Sequence, residues 1–151
     1  RGMTKFLQAR ALGTRGGLAG YKANEAPSPA MTAEALFCRQ MFGVRPRDGA
    51  TQEAVTYLRQ NLPRLNVYDE YYWYYGTLAM FQYDGTPWKE WNGALRDMLI
   101  GLQRTEGPLA GSWDPNGKWA GIGGRLYSTA VSTMSLEVYY RFLRIYQTGE
   151  E

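Results

Sequence analysis

Three groups of side chains in this sequence have the types and spacing to do chemistry. Asp69 and Glu70 form an adjacent acidic pair, the arrangement that general acid/base work uses. An acidic pair just ahead of an apolar stretch is, however, ordinarily a helix cap that meets the positive end of the dipole. Tyr68, Tyr71, Tyr72, Trp73, Tyr74 and Tyr75 follow, six rings in eight residues. That is more than core filling requires, and rings opening into a cavity mouth stack on sugars, isoprenoids or cations. The third group is Trp113-Asp114-Pro115, continuing through Trp119 to Arg125, in a glycine-rich loop of the kind that carries binding residues. Arg125 and Glu137 are candidates for one buried polar set, since a buried charge needs a partner.

The chemistry excluded is as informative. The chain has no histidine and one cysteine, Cys38. His-dependent triads and the usual nitrogen and sulfur ligand sets for zinc therefore cannot be assembled, nor can an internal disulfide. An all-carboxylate site for a hard cation stays formally open, but no metal site and no cofactor is expected. The net charge is +3, and five of the basic residues fall within residues 1–22, which hold no acid. Five spaced charges without a recognition motif are a weak footprint for nucleic acid, so no nucleic-acid partner is expected. The longest aromatic-rich apolar run, Tyr71 to Phe81, is about half of what a bilayer requires. No membrane span is expected, and the sequence leaves the compartment open.

The elements that must position these groups read as helices. Pro87 to Arg104 places Trp91, Leu95, Met98, Leu99 and Leu102 on one face, with Thr86 and Pro87 as cap and first residue. Thr51 to Leu62 has a similar single stripe in Val55, Leu58 and Leu62. By contrast, Tyr71 to Phe81 and Tyr127 to Tyr140 are apolar nearly all round and need cover on most sides, and Met31 to Phe42 is more apolar than the Thr51 to Leu62 stretch that follows it. Outer and inner helices thus take turns, separated by breakers such as Asp84-Gly85 and the Gly107 to Gly124 segment. The expectation is a single domain over residues 1–151, with six helices in three hairpins and almost no strand. Internal similarity supports it: Leu36, Gln40 and Gly43 reappear as Leu78, Gln82 and Gly85, and Thr32-Ala33 as Thr129-Ala130.

The last unit runs from Gln103 and Gly107 through Gly111-Ser112-Trp113 to Thr129-Ala130. It resembles the repeat of squalene and oxidosqualene cyclases and of protein prenyltransferase β-subunits. In that repeat an outer helix ends in Gln, a Gly and a Trp follow, and the next inner helix opens on Thr-Ala. Here the spacing from Gly107 to Trp113 is four residues longer than in that repeat. The first unit keeps an echo in Gly17-Leu18-Ala19-Gly20-Tyr21, with Tyr21 in place of Trp. The resemblance implies an all-α fold of α/α-hairpin repeats forming part of an α/α toroid, whose Gln and Trp are structural.

Neither catalytic signature of those relatives is present. Cyclases carry acidic residues just before the Thr-Ala; here Pro29-Ala30-Met31 and Leu126-Tyr127-Ser128 stand there. The zinc-bound His of the prenyltransferases has no counterpart. The function expected is therefore a non-catalytic toroid repeat domain that binds a small molecule or a protein. The alternatives are an isoprenoid cyclase- or transferase-like enzyme, and a carbohydrate-active toroid lyase or hydrolase. Tyr72, Trp73, Trp113, Asp114 and Arg125 are the expected border of one pocket at the inner-helix N-termini, where the dipoles would favour an anionic group. Three hairpins are too few to close a ring, so further repeats of the same polypeptide or a partner protein are expected against the open edges.

Overall fold

The stretches read as helical are helical in the computed structural model, which describes residues 2–145. Six helices are present: α1 (Gly2–Ala9), α2 (Pro29–Met41), α3 (Gly49–Gln60), α4 (Glu70–Tyr83), α5 (Gly85–Leu102) and α6 (Ala120–Arg141). Two strands of two residues each, β1 (Ala11–Leu12) and β2 (Leu18–Ala19), pair antiparallel between α1 and α2. Helix starts follow the local chemistry. Ser28 accepts a hydrogen bond from the Met31 amide with Pro29 as the first helical residue, and Asp48 accepts from the amides of Ala50 and Thr51. Asp69 likewise accepts from the Tyr72 amide. The α5 helix begins at Gly85, ahead of Thr86, and Pro87 still lies in the first turn, where its missing N–H breaks no helical bond.

The helices form two layers. In the inner layer α4 lies between α2 and α6, while α3 and α5 pack behind. The bonds between the inner helices fix their sense. Near their N-terminal ends Ser128 donates to Glu70, and near their C-terminal ends Gln82 donates to the Leu143 carbonyl, so α4 and α6 run parallel. On the other side Tyr71 meets Glu34 and Gln40 donates to the Ala79 carbonyl, so α2 runs the same way. The outer α3 is antiparallel to α4, its end held by the Tyr72 hydroxyl on the Asn61 carbonyl and its start by Gln52 on Tyr83.

The internal repeat has a physical content. Leu36 and Leu78 are core residues, and the buried amides of Gln40 and Gln82 each reach the chain of the next inner helix along. Gly43 and Gly85 both turn the chain in the left-handed region. Thr32 and Thr129 also match: the hydroxyl of Thr32 accepts from the Ala19 amide, and that of Thr129 from the Trp113 amide. The residue of the first unit that occupies the place of Trp113 is therefore Ala19, buried on β2, while Tyr21 is exposed.

Burial follows position in the layers. Ten of the fourteen residues of α4 are buried, against four of twelve in α3 and four of eighteen in α5. The segments 71–83 and 128–145 are expected to be more buried than 52–62 and 87–104; 71–83 clearly is, whereas 128–145 buries five of its eighteen residues, a share little different from theirs, and residues 142–145 are not helical. Among the described residues nothing packs on the far side of α6, leaving Leu126 and Tyr140 exposed, with Leu143 exposed just beyond its end. At the other end of the chain α1 buries no residue, and β2 packs against α2 and α3 in its stead.

The ribbon is anchored by one carboxylate. Glu53 on α3 accepts from the amides of Thr14, Arg15 and Gly17 and from the Thr14 hydroxyl. Desolvation works against the charge, but these donors outweigh it and hold the carboxyl below its usual range. Because the folded value is depressed, the stabilisation is complete above the ordinary carboxylate pKa and is lost as pH falls through the folded value. Glu53→Gln should therefore speed amide hydrogen exchange at Thr14, Arg15 and Gly17 at neutral pH, with the difference from wild type shrinking in acid. Exchange at those amides that is unchanged at neutral pH would show that the carboxylate does not hold the ribbon.

Candidate functional site

The third repeat unit closes on itself through its motif residues. The Gln103 amide donates to the Gly111 carbonyl, and the Arg104 and Ser112 backbones bond across the loop while Gly107 and Gly111 turn it in the left-handed region. The Trp113 indole is buried, and its Nε1 donates at 2.8 Å to the Leu99 carbonyl in the last turn of α5, which also accepts the Gln103 amide. Asp114 beside it receives Arg104 and Arg125, whose guanidinium hydrogen bonds hold its carboxyl below the usual range. Arg125 also donates to the Ser112 hydroxyl. Arg125 is thus paired with Asp114, and Glu137 with Arg141, one turn further along α6.

The tyrosine-rich helix divides by face. Tyr72 and Trp73 point into the core, Tyr72 edge-on to Trp91 and bonded to the Asn61 carbonyl, Trp73 against the Tyr68 ring. Tyr71, Tyr74 and Tyr75 are only partly buried. The acidic pair also divides: Asp69 caps α4, while Glu70 is fully buried and accepts from the Ser128 hydroxyl at 2.9 Å. Gly117 lies against that carboxyl so closely that a Cβ there would overlap Glu70 Oε2.

The fold brings the 113–125 loop and the start of α4 to one end, where the inner helices have their N-termini. There a cavity of about 840 Å³ opens between α2, α4 and the first turn of α6. Its walls include Tyr21, Met31, Tyr71, Trp119 and Tyr127, with Asp69 and Lys118 as its charged members. A smaller cavity of about 310 Å³ shares Ser28, Ala30, Asp69 and Lys118 with it and reaches Tyr72 and Trp73. Trp113, Asp114 and Arg125 are not on either wall. Gly124, with φ of 58°, breaks the regular helix, so Trp119 and Ile122 sit on a separate turn that forms one side of the larger cavity.

Polar groups at this end are incompletely satisfied. Tyr71 donates to the Glu34 carboxyl, and its ring lies 4.9 Å from that of Tyr75 and 6.3 Å from that of Trp119. Burial pushes the Glu34 carboxyl up, only partly offset by the Tyr71 hydrogen bond, and burial with the Glu34 contact pushes the Tyr71 hydroxyl up in turn. Tyr127 is raised to about 12, by desolvation first and then by Glu70 and Asp69. Glu34 Oε1, Glu70 Oε2 and the Tyr127 hydroxyl are buried without a hydrogen-bond partner among the described residues.

Glu34, Lys118 and Tyr127 are cavity-end residues outside the sequence candidates, while Tyr71 and Trp119 belong to the ring run and the glycine-rich loop but not to the five residues expected to border the pocket. One signal was available: Glu34 is the only acid in the apolar Met31 to Phe42 stretch. Among the described residues no group of His, Cys, Asp or Glu is placed to hold a metal ion, and no helix is long and apolar enough to cross a membrane. Compared with protein-family models, with curated proteins and with solved structures, the chain gives no match.

Proposed function

We propose that this chain is a non-catalytic ligand-binding domain built of α/α-hairpin repeats, part of a toroid resembling that of the squalene cyclases and prenyltransferase β-subunits. The parallel inner layer of α2, α4 and α6 with α3 and α5 behind supports the toroid reading, as do the matched roles of Gln40 with Gln82 and Thr32 with Thr129. A further repeat or a partner protein covers the open apolar side of α6, because an exposed apolar helix face is costly in water.

The observation that carries the binding reading is the cavity of about 840 Å³ at the inner-helix N-termini, with rings from separate segments on its walls. It has the size and the mixed aromatic and polar lining of a small-molecule site. Trp119 is partly exposed there, whereas Trp73, Trp88, Trp91 and Trp113 are buried. In a fragment screen on protein labelled with ¹⁵N at tryptophan, ligands should shift the Trp119 indole signal and leave the buried four nearly unmoved. Trp119→Ala should weaken the best fragment by about tenfold or more, as loss of an aromatic anchor does. A chemically diverse screen in which no compound moves Trp119 would overturn the binding reading. Turnover of an isoprenoid by the chain would overturn the non-catalytic one.

A further inference from the structure

The lining of this cavity narrows what it can hold. Four electron-rich rings, those of Tyr21, Tyr71, Trp119 and Tyr127, lie on its walls. Such faces attract positive charge through their quadrupoles. Trp119 already does so within the molecule, since the Lys118 ammonium lies 5.6 Å from its ring centroid.

The acceptors point the same way. Asp69 is on the wall, Glu34 bonds the back of Tyr71, and Glu70 lies close enough to Tyr127 to act on its hydroxyl. Two of these three carboxyl groups, Glu34 and Glu70, keep a buried oxygen with no donor among the described residues. On the wall itself one acid, Asp69, stands beside one cation, Lys118, with the Glu34 and Glu70 carboxyls behind the Tyr71 and Tyr127 rings and Arg64 on the adjoining smaller cavity. At α2 and α4 the helix N-termini add little pull on an anion, because Ser28 and Asp69 already supply acceptors there, while α6 opens on Trp119 without a side-chain cap.

We propose that the cavity binds a small organic cation, a tertiary or quaternary ammonium compound held among the Tyr71, Trp119 and Tyr127 rings with Glu34 and Asp69 as its counter-charges. This rests on the binding reading above and specifies its ligand. The bound ammonium displaces the Lys118 side chain from the Trp119 ring, so Lys118 acts as an internal competitor.

Three compounds of nearly the same shape separate charge from bulk: choline, its neutral carbon analogue 3,3-dimethyl-1-butanol, and the anion 3,3-dimethylbutanoate. Each is titrated into the full chain while the Trp119 indole signal is followed. Choline should bind saturably and about tenfold more tightly than either analogue. Isothermal titration calorimetry reads the variants, since Trp119→Leu removes the indole reporter: Trp119→Leu and Glu34→Gln should each weaken choline binding by about threefold or more, and Lys118→Gln should tighten it. Thermal unfolding of each variant identifies any that fails to fold; for these, Tyr127→Leu replaces the lost arm. Equal or tighter binding of the neutral or anionic analogue overturns the cation assignment and leaves the binding reading standing. So does the absence of any choline response when other fragments move Trp119. Weaker choline binding in Lys118→Gln would also overturn it, since it would make the lysine a ligand group and not a competitor.

Discussion

Replacing Trp113 with Ala is expected to destabilise the domain by about 3–5 kcal/mol, the range for deleting a large aromatic from a packed core. The indole is buried, belongs to the central core cluster, and spans three elements. Its Nε1 holds the Leu99 carbonyl at the end of α5, and its own amide is held by Thr129 on α6. Trp113→Phe keeps much of the volume and leaves the Leu99 carbonyl without that donor, so a smaller loss of about 1–2 kcal/mol is expected. Urea denaturation followed by far-ultraviolet circular dichroism measures both. If the Ala variant lost less than about 1 kcal/mol, the ring would be filling a loop and not joining α5 to α6.

That role was legible because it depends on local order. A Gln that ends a helix, glycines that turn the chain, and a Trp that comes back against the helix end are close in sequence, and the structure joins them with short-range bonds. The repeat of Leu36 and Gln40 in Leu78 and Gln82 is legible for a different reason, as a period in the sequence, although the bonds these amides make are long-range. Each inner helix must satisfy the next with the same amide at the same turn.

What was not legible depends on how many neighbours an element has. The sequences of α4 and α6 are both apolar nearly all round, yet α4 is enclosed and α6 has an open flank. Hydrophobic periodicity reports which faces want cover, not whether cover is supplied. The same limit applies to pairing across the fold. Arg125 and Glu137 are both plausible members of one polar set, but Asp114 reaches Arg125 first by way of the loop, and Glu137 takes Arg141 one turn away. In the six-ring run, helical geometry turns Tyr72 and Trp73 inward and leaves Tyr71 for the cavity. A single acid on an apolar helix does not by itself mark a site; only the packing of α2 against α4 places Glu34 under Tyr71.

The contact between α4 and α5 leads to a prediction in which two effects of opposite sign compete. Gly76 lies in the middle of α4, where replacing Gly by Ala normally stabilises a helix by about 0.5–1 kcal/mol. A Cβ at Gly76, however, would stand 2.2 Å from Trp91 Cζ2. The indole cannot give way easily: Trp91 is fully buried, its Nε1 donates to the Thr77 hydroxyl at 3.0 Å, and Tyr72 packs edge-on against its ring. Thr77 is itself fixed by its bond to the Trp73 carbonyl. Overpacking of this kind costs about 1–3 kcal/mol and more where the neighbour is rigid, so Gly76→Ala should destabilise by about 2–3 kcal/mol net of the propensity gain. The cause can be isolated with a second substitution. Trp91→Leu alone should be strongly destabilising through the cavity it leaves, but Gly76→Ala added to it should cost little or become stabilising, because the atoms it would strike are gone. The double-mutant cycle should therefore show a favourable coupling of about 2 kcal/mol or more. Strict additivity would mean that the glycine serves the backbone of α4 itself, and not the close approach of α5.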